Sequence, residues 1–598
     1  MPVPNPETLR GLQQASTLLQ SGNVAQARTL LETLIRSNPH VGETHRLLAG
    51  ALHAEGDLGG AERVLRQALT VDPNWAPTEV SLGEAVAERG LIEEAERHFR
   101  KALAINRTYQ RAAVSLAALL IDTHRAGAAL DLTTPLVNTR STSPELLSEH
   151  ARALMMLRRR SEAVAIYRKV VATAAASGLA ELNLAAALSD SGLHQEAEAS
   201  VRRALAKGFD TSKTALVLAH ALLGQDRFDE AEAVLVEALE RWPTYIDAHR
   251  ELANLRWMRS GDVRKATASI DAVLRAHPAL SDLRIIKARL CDYAGESAAA
   301  YAIVTAGLRQ DPDNAFLEQA ACEAAIKFDS TRARAHARRA VALAPDHKAI
   351  IGTLADALVS AGETVEAAAL ANDFLLRAPD DQHMLAVQAT AWRVLDDPRY
   401  RSLYDYRRLV HGWTIETPPG WPDLGSYLGD LAESLRRLHT LKTHPVGQSL
   451  RHGTQTARDL TLSDDPAISA FRQAIEGPVR RHIHAIGEPD DTAWRIAGMW
   501  SVQLSPNGYH ANHMHPEGWL SSACYIELPA AVDGDDRQGW IKFGEPALRT
   551  VPPLPPEHFV KPEPGLLVLF PSYMWHGTVP FSGDQRRLTI AFDVVRDG

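Results

Sequence analysis

An alanine returns every 34 residues along the first part of this chain, at Ala27, Ala61, Ala95, Ala129, Ala163, Ala197 and Ala231. With slips of one residue the series runs on through Ala266, Ala300, Ala333 and Ala367, which makes eleven units. A fixed period of this length marks a stack of like supersecondary units, each too small to bury its apolar face alone. A second small residue follows seven positions later at Ala68, Ala102, Ala204, Ala238 and Ala340. Seven residues is about two helical turns, so both alanines lie on one helix face and let a neighbouring helix come close. Twelve residues after many of the first alanines stands a proline, at Pro39, Pro73, Pro243, Pro278, Pro312, Pro345 and Pro379, where it ends the second helix of a pair. Gly56-Asp57, Gly192-Leu193 and Gly261-Asp262 supply the turns within pairs.

Period, alanines and proline together resemble the tetratricopeptide repeat, over roughly residues 8–395. That resemblance implies an all-α superhelix whose concave groove binds a protein or peptide. The repeated alanines and leucines are themselves packing residues, so self-association or a purely architectural role stands beside groove binding. Units four and five lack the terminal proline and carry Arg158-Arg159-Arg160 at their turn, which reads as a solvated turn rather than an anion site.

Composition excludes several partner classes. The chain has 64 Lys+Arg against 73 Asp+Glu, a net charge of −9 without long single-sign runs, and this argues against nucleic acid. Its cysteines, Cys291, Cys322 and Cys524, have no CxxC spacing, so neither a disulfide framework nor a thiolate zinc site is expected. The N-terminus lacks a basic region followed by an apolar run, and no stretch of eighteen apolar residues occurs. A cytoplasmic protein without membrane partners is expected.

After Pro379 the period fades. Residues 396–493 read as a helical and irregular bridge: Asp396-Asp397-Pro398-Arg399-Tyr400 begins irregular structure capping the last repeat, and Pro418-Pro419-Gly420-Trp421-Pro422 is a rigid loop. An amphipathic helix is expected from Asp423 to His439, with Leu424, Tyr427, Leu428, Leu431, Leu435 and Leu438 on one side. A further helix is expected from Ala467 to Ile486. The polar stretch Gln448 to Thr456 either lines a site or is a surface loop. From Trp494 onward, β-branched and aromatic residues with frequent turn signals indicate short strands of a sandwich or barrel.

The chemistry gathers in that last segment. His513 and His515 stand two apart on an expected strand, so both project from one face and can share a metal ion. His576 follows the apolar strand Leu566 to Phe570 after a Pro-Ser turn. Imidazole suits iron, zinc, copper and nickel alike. Eleven residues on, Arg587-Leu588-Thr589 places a guanidinium and a hydroxyl on one strand face, a pair suited to gripping a carboxylate. Arg586 is the neighbouring alternative, with opposite parity. His510 reads as a surface or satisfied core residue.

Residues 494–598 thereby resemble the iron(II)/2-oxoglutarate-dependent oxygenases, which fold as a double-stranded β-helix of jelly-roll or cupin-like type. The bridge resembles that of one bacterial branch of this superfamily, in which such a domain follows tetratricopeptide repeats. The resemblance implies a multidomain chain: a repeat solenoid over 1–395, a bridge over 396–493 and an oxygenase core over 494–598. It implies Fe(2+) held by His513 and His576, with 2-oxoglutarate gripped by Arg587 and Thr589, joined by Tyr525, and O2 as the oxidant. His515 stands where the family carries an acid. His515 is one candidate for the third ligand, Glu517 another, and a site with no third protein ligand remains open. Trp519, Trp540 and Phe543 are candidate cavity walls. The expected activity is hydroxylation of a recruited protein or peptide, or of a small molecule, with succinate and carbon dioxide released from 2-oxoglutarate. The alternatives are an interaction scaffold with a catalytically altered metal-binding domain, and a cupin-like metalloenzyme that does not use 2-oxoglutarate.

Overall fold

The structure is a computed structural model that describes residues 6–138 and 142–597. The chain packs as two compact units, Met1–Ala221 and Leu222–Gly598. Among the described residues no helix is long and apolar enough to cross a membrane.

The first unit is built of helix pairs, beginning with Pro6–Gln20 and Val24–Ser37 and continuing to Gly178–Asp190 and His194–Ala206. In every pair the periodic alanine is the fourth residue of the second helix, as Ala61 in Leu58–Val71 and Ala163 in Arg160–Thr173. Ala27, Ala61, Ala95, Ala129, Ala163 and Ala197 are all buried, as are Ala68, Ala102 and Ala204 seven residues on. Their methyl side chains set how closely the helices approach. The same closeness appears at Gly83, where a Cβ would stand 2.5 Å from the Phe99 ring.

The turn inside each pair needs one left-handed residue. Gly56 and Gly192 supply it, and His124 and Arg158 take the same conformation at φ 60 and 58 where glycine is missing. Arg158-Arg159-Arg160 is therefore a turn, and Arg159 Nε donates to Glu162 at 2.7 Å.

The second unit continues the pairs from Phe228–Arg241 to Thr364–Arg377, and Gln382–Val394 follows as a first helix without a partner. Ala231, Ala266, Ala300, Ala333 and Ala367 are again buried. Two short helices, Arg399–Leu403 and Tyr406–Leu409, then take the place of the irregular structure expected there. The expected amphipathic helix is Leu424–Leu438, N-capped by Asp423, whose carboxylate accepts from Ser426 N. Pro466–Ala485 is capped likewise by Asp465.

Nine strands follow one another as β1 (His411–Thr414), β2 (Leu450–Gln455), β3 (Trp494–His510), β4 (Leu520–Glu527), β5 (Ile541–Phe543), β6 (His558–Val560), β7 (Leu566–Pro571), β8 (His576–Thr578) and β9 (Arg587–Arg596). They form a six-stranded sheet in the order β1-β7-β4-β9-β3-β2 and a three-stranded sheet in the order β6-β5-β8, antiparallel throughout. This is a C-terminal antiparallel arrangement of the jelly-roll kind. Two of its strands, β1 and β2, come from the segment expected to be a helical and irregular bridge. Each is only a few residues long, and its partner lies far along the chain, β7 for the first and β3 for the second. Along β9 the side chains alternate: Leu588, Ile590, Phe592 and Val594 enter the core with Phe471, Ile475 and Leu431, while Arg587, Thr589 and Asp593 share the other face.

Two segments of this region lie along the first helices of repeats in the same unit. Lys442 N and Thr443 N donate to Met258 O at 3.1 and 3.0 Å, Trp257 Nε1 donates to His444 O at 3.1 Å, and Asn254 Oδ1 accepts from Val446 N at 3.1 Å. Leu441 and Val446 pack on Ala253, Trp257 and Leu283. Tyr293 ends this contact by donating to Gln448 O at 2.7 Å. On Lys348–Ser360 and Gln382–Val394, Leu548 packs among Ile351, Leu354 and Val387, and Arg393 donates to Gly544 O and Pro555 O at 2.8 and 2.7 Å.

Candidate metal centre

His513, His515 and His576 come together. Their ligand atoms all lie within 4.8 Å of one another, the one such group of three among the described residues. The backbone brings this about: His513 and His576 exchange both N–H···O bonds at 2.9 Å, and His515 N donates to Ser572 O at 3.0 Å. Gly577 lets the two segments meet so closely, since a Cβ there would stand 2.5 Å from Asn512 Oδ1. The expected strand for His513 and His515 is instead an extended segment beyond the end of β3, held by a single bridge to β8.

Each ring presents the same nitrogen. His513 Nδ1 donates to Ala511 O at 2.9 Å, His576 Nδ1 to Met574 O at 2.9 Å, and His515 Nδ1 to the Asp593 carboxylate at 2.7 and 2.9 Å. Carbonyls and carboxylates only accept, so Nδ1 carries a proton in all three and Nε2 is the nitrogen left to face a metal. This is the arrangement by which protein acceptors orient metal-binding histidines. Burial, with His515 alongside, pushes the His513 pKa down to about 3. The His576 value lies well below the usual histidine range for the same reasons, burial first and then the neighbouring His513 and His515. Both rings are therefore neutral near pH 7, the form that binds metal.

The expected clamp residues are buried beside this group. Arg587 is 2% exposed and Tyr525 and Thr589 scarcely more or less. Thr589 pairs with Tyr525 across β4 and β9, and the Arg587 guanidinium carbon lies 5.0 Å from the Tyr525 ring centroid. No carboxylate among the described residues pairs with Arg587, and its Nε and the Tyr525 hydroxyl have no hydrogen-bond partner. Burial lowers the Arg587 pKa, with Tyr525 acting in the opposite sense. A buried guanidinium without an anion is costly, and a ligand carboxylate satisfies it. Arg587's charge also reaches His510, whose ring stacks 5.9 Å from that of His513.

The alternatives fall elsewhere. Arg586 is exposed and donates to Gln503 Oε1 at 2.8 Å, and Glu517 is exposed outside the histidine group. Of the expected walls, Phe543 lies 6.3 Å from His576 by ring centroids. Trp519 is covered by Arg596 at 4.5 Å, and Trp540 donates to Val532 O at 2.9 Å.

Residues 498–593 match the family model described as "Putative 2OG-Fe(II) oxygenase". Residues 12–75, 212–255 and 327–391 match tetratricopeptide repeat models. Solved structures similar to the chain include a tetratricopeptide repeat protein from Parabacteroides merdae, 16% identical, covering 39% of this chain and 92% of its own, with a TM-score of 0.32. Another is a thermophilic tetratricopeptide repeat protein of Thermus thermophilus, 20% identical, covering 30% of this chain and 98% of its own, with a TM-score of 0.27. Yeast Tom70 is 12% identical over 67% of this chain and 91% of its own, with a TM-score of 0.35. No curated protein matches the chain.

Sequence reasoning missed three residues that border the histidine group and left a fourth, Ser449, open. Ser449, in the stretch between lining and surface loop, bridges His510 Nδ1 at 2.9 Å and His513 Nε2 at 3.2 Å, so that stretch borders the site. His510, read as a surface or core residue, is part of the wall. Trp500 stacks on His515 with centroids 5.9 Å apart. Asp593 holds His515; its sequence signal was strand parity, since it lies two steps of two beyond Thr589.

Proposed function

We propose that this protein is an iron(II)- and 2-oxoglutarate-dependent oxygenase that hydroxylates a protein or peptide recruited by its repeats. The observation that supports this most is a three-histidine group together with a buried guanidinium that has no carboxylate partner and whose charge reaches His510, stacked beside His513. His513, His515 and His576 would hold the iron, and that group, when bound, supplies the chemistry coupling decarboxylation of 2-oxoglutarate to oxidation of a C–H bond. The chain's own part is binding and orientation. Ala511 O, Asp593 and Met574 O fix the three rings, and Arg587 with Thr589 would hold the far carboxylate of 2-oxoglutarate. Phe543, Phe570 and Trp500 surround the histidines with aromatic surface, which excludes water and strengthens the Arg587–carboxylate attraction.

The repeat helices of the second unit that hold residues 441–448 and 544–555 already carry a chain segment. Partner recognition therefore belongs to repeat faces that no segment of this region covers. The test is anaerobic addition of iron(II) and 2-oxoglutarate, followed by admission of air. A charge-transfer band and stoichiometric succinate are expected; absence of both returns the molecule to a metal-binding scaffold. An Arg587→Ala variant with unchanged dependence on 2-oxoglutarate would contradict the clamp role given to Arg587, and a parent that oxidises without 2-oxoglutarate would identify a cupin-like enzyme that does not use that co-substrate.

A further inference from the structure

The histidine at position 515 leaves the metal without a carboxylate among its direct ligands, yet a carboxylate stands immediately behind it. We infer that Asp593 delivers, through His515, the negative charge that balances this centre, and so acts as a positioning and charge-setting residue. The inference rests on the proposed metal centre and names the residue that makes a three-histidine version of it workable.

The contact is bidentate in the sense that His515 Nδ1 lies 2.7 and 2.9 Å from the two Asp593 oxygens. It is also built in rather than incidental. Ser521 Oγ donates to Asp593 Oδ1 at 2.8 Å, Ser521 Oγ and Ser572 Oγ are 2.8 Å apart, and Ser572 O accepts from His515 N at 3.0 Å. The ring of contacts thus returns to the residue it orients. Both serines are fully buried, and a Cβ at Gly518 would stand 2.4 Å from Ser572 Oγ, so the loop is packed down on them.

The charges on the site show why this matters. Iron(II) and 2-oxoglutarate cancel each other, three neutral imidazole ligands add nothing, and Arg587 adds one positive charge with no carboxylate among the described residues paired to it. Only Asp593, on the same face of β9 as Arg587, brings the sum to zero, and in a low-dielectric site an uncancelled charge is expensive. A hydrogen bond from a ligand imidazole to a carboxylate gives that imidazole anionic character and raises its strength as a donor to the metal.

The test compares Asp593→Asn, which keeps an acceptor for His515 Nδ1 but removes the charge, in two backgrounds. In the parent, anaerobic competition against a chelator is expected to show cobalt(II) affinity reduced about 10–100-fold, the usual effect of losing such an outer partner. The iron(III)/iron(II) potential is expected to rise, a readout that a merely structural residue would not move. In a His515→Asp background the sign reverses: two carboxylates then face each other, and Asp593→Asn strengthens cobalt(II) binding. Equal affinity and potential for parent and Asp593→Asn, with the parent binding cobalt(II), overturns this inference alone. A parent that takes up no cobalt(II) overturns the metal centre itself, and the inference with it.

Discussion

The Arg587 guanidinium carbon lies over the Tyr525 ring, 5.0 Å from its centroid, and Arg587 Nε has no hydrogen-bond partner. The ligand-free protein thus stores an unsatisfied buried cation, which stability measurements can detect. Arg587→Met keeps the volume and removes the charge, and is expected to stabilise the ligand-free chain by about 1–3 kcal/mol. In the parent, 2-oxoglutarate should raise the thermal midpoint by binding only the folded state. In the variant that shift disappears. A variant that melts lower than the parent and still responds to 2-oxoglutarate contradicts the role given to Arg587.

Acid should weaken the fold well before carboxylates titrate. Burial pushes His513 and His482 down to about 3, and His439 and His444 to about 4. Unfolded, each takes its proton near pH 6.5. Between 6.5 and these depressed values the unfolded chain binds more protons than the folded one. Stability is accordingly full above that window and falls as pH drops through it, by up to about 1.4 kcal/mol per pH unit for each group. Urea midpoints taken just above neutrality and near the middle of the window measure the slope. A midpoint that does not change refutes the neutral assignment of these rings.

The C-terminal region should not fold without the repeats that hold it. Trp575 Nε1, beside the proposed ligand His576, donates to Thr390 Oγ1 at 2.9 Å, and Tyr404 OH donates to Tyr573 O at 3.0 Å. A chain beginning at Leu222 keeps every such contact, whereas one beginning at residue 396 loses the partners of Trp575, Leu548, Val446 and Gln448. The longer piece is expected to melt in one cooperative transition. The shorter one should expose Leu548 and Leu441 and be cut rapidly in limited proteolysis.

Ala197 sits wholly buried at the fourth position of its helix. Ala197→Leu inserts volume where the helix packing leaves none, and a destabilisation of about 1–3 kcal/mol is expected. The exposed Ala199 on the same helix, changed in the same way, serves as the control and should change the denaturant midpoint little.

The repeat architecture was readable because one packing requirement recurs with the period: wherever two pairs meet, a small residue must occupy the same helix position. The helix Leu424–Leu438 was readable from its Asp423 cap and its leucine stripe. The histidine trio and Arg587 could be found because each stands close in sequence to a partner that shares its strand face or follows its strand. Asp593 carried the parity signal of Arg587 and Thr589 but nothing in the sequence tied it to His515, and Ser449 and Trp500 reach the histidines only through pairing between distant segments. β1 failed for a related reason: His411-Gly412-Trp413-Thr414 has too few residues to show a period, and only its pairing with β7 makes it a strand. Of the expected walls, only Phe543 has a ring contact with a proposed ligand among the described contacts, while Trp519 lies under Arg596 and Trp540 donates to Val532 O.

A solenoid ordinarily gains or loses units freely, because any pair can follow any other. Here the freedom ends where the jelly-roll region takes hold. Ile246–Ser260 grips Val446, and Gln382–Val394 grips Gly544 and Trp575, so two separate points along the repeats are tied to one C-terminal region. An extra pair inserted between those helices would pull one grip away from its segment, so the number of repeats from Ile246 to Val394 is tied to the C-terminal region. The later repeats thus form a frame of fixed length, a constraint these contacts do not place on the pairs of the first unit.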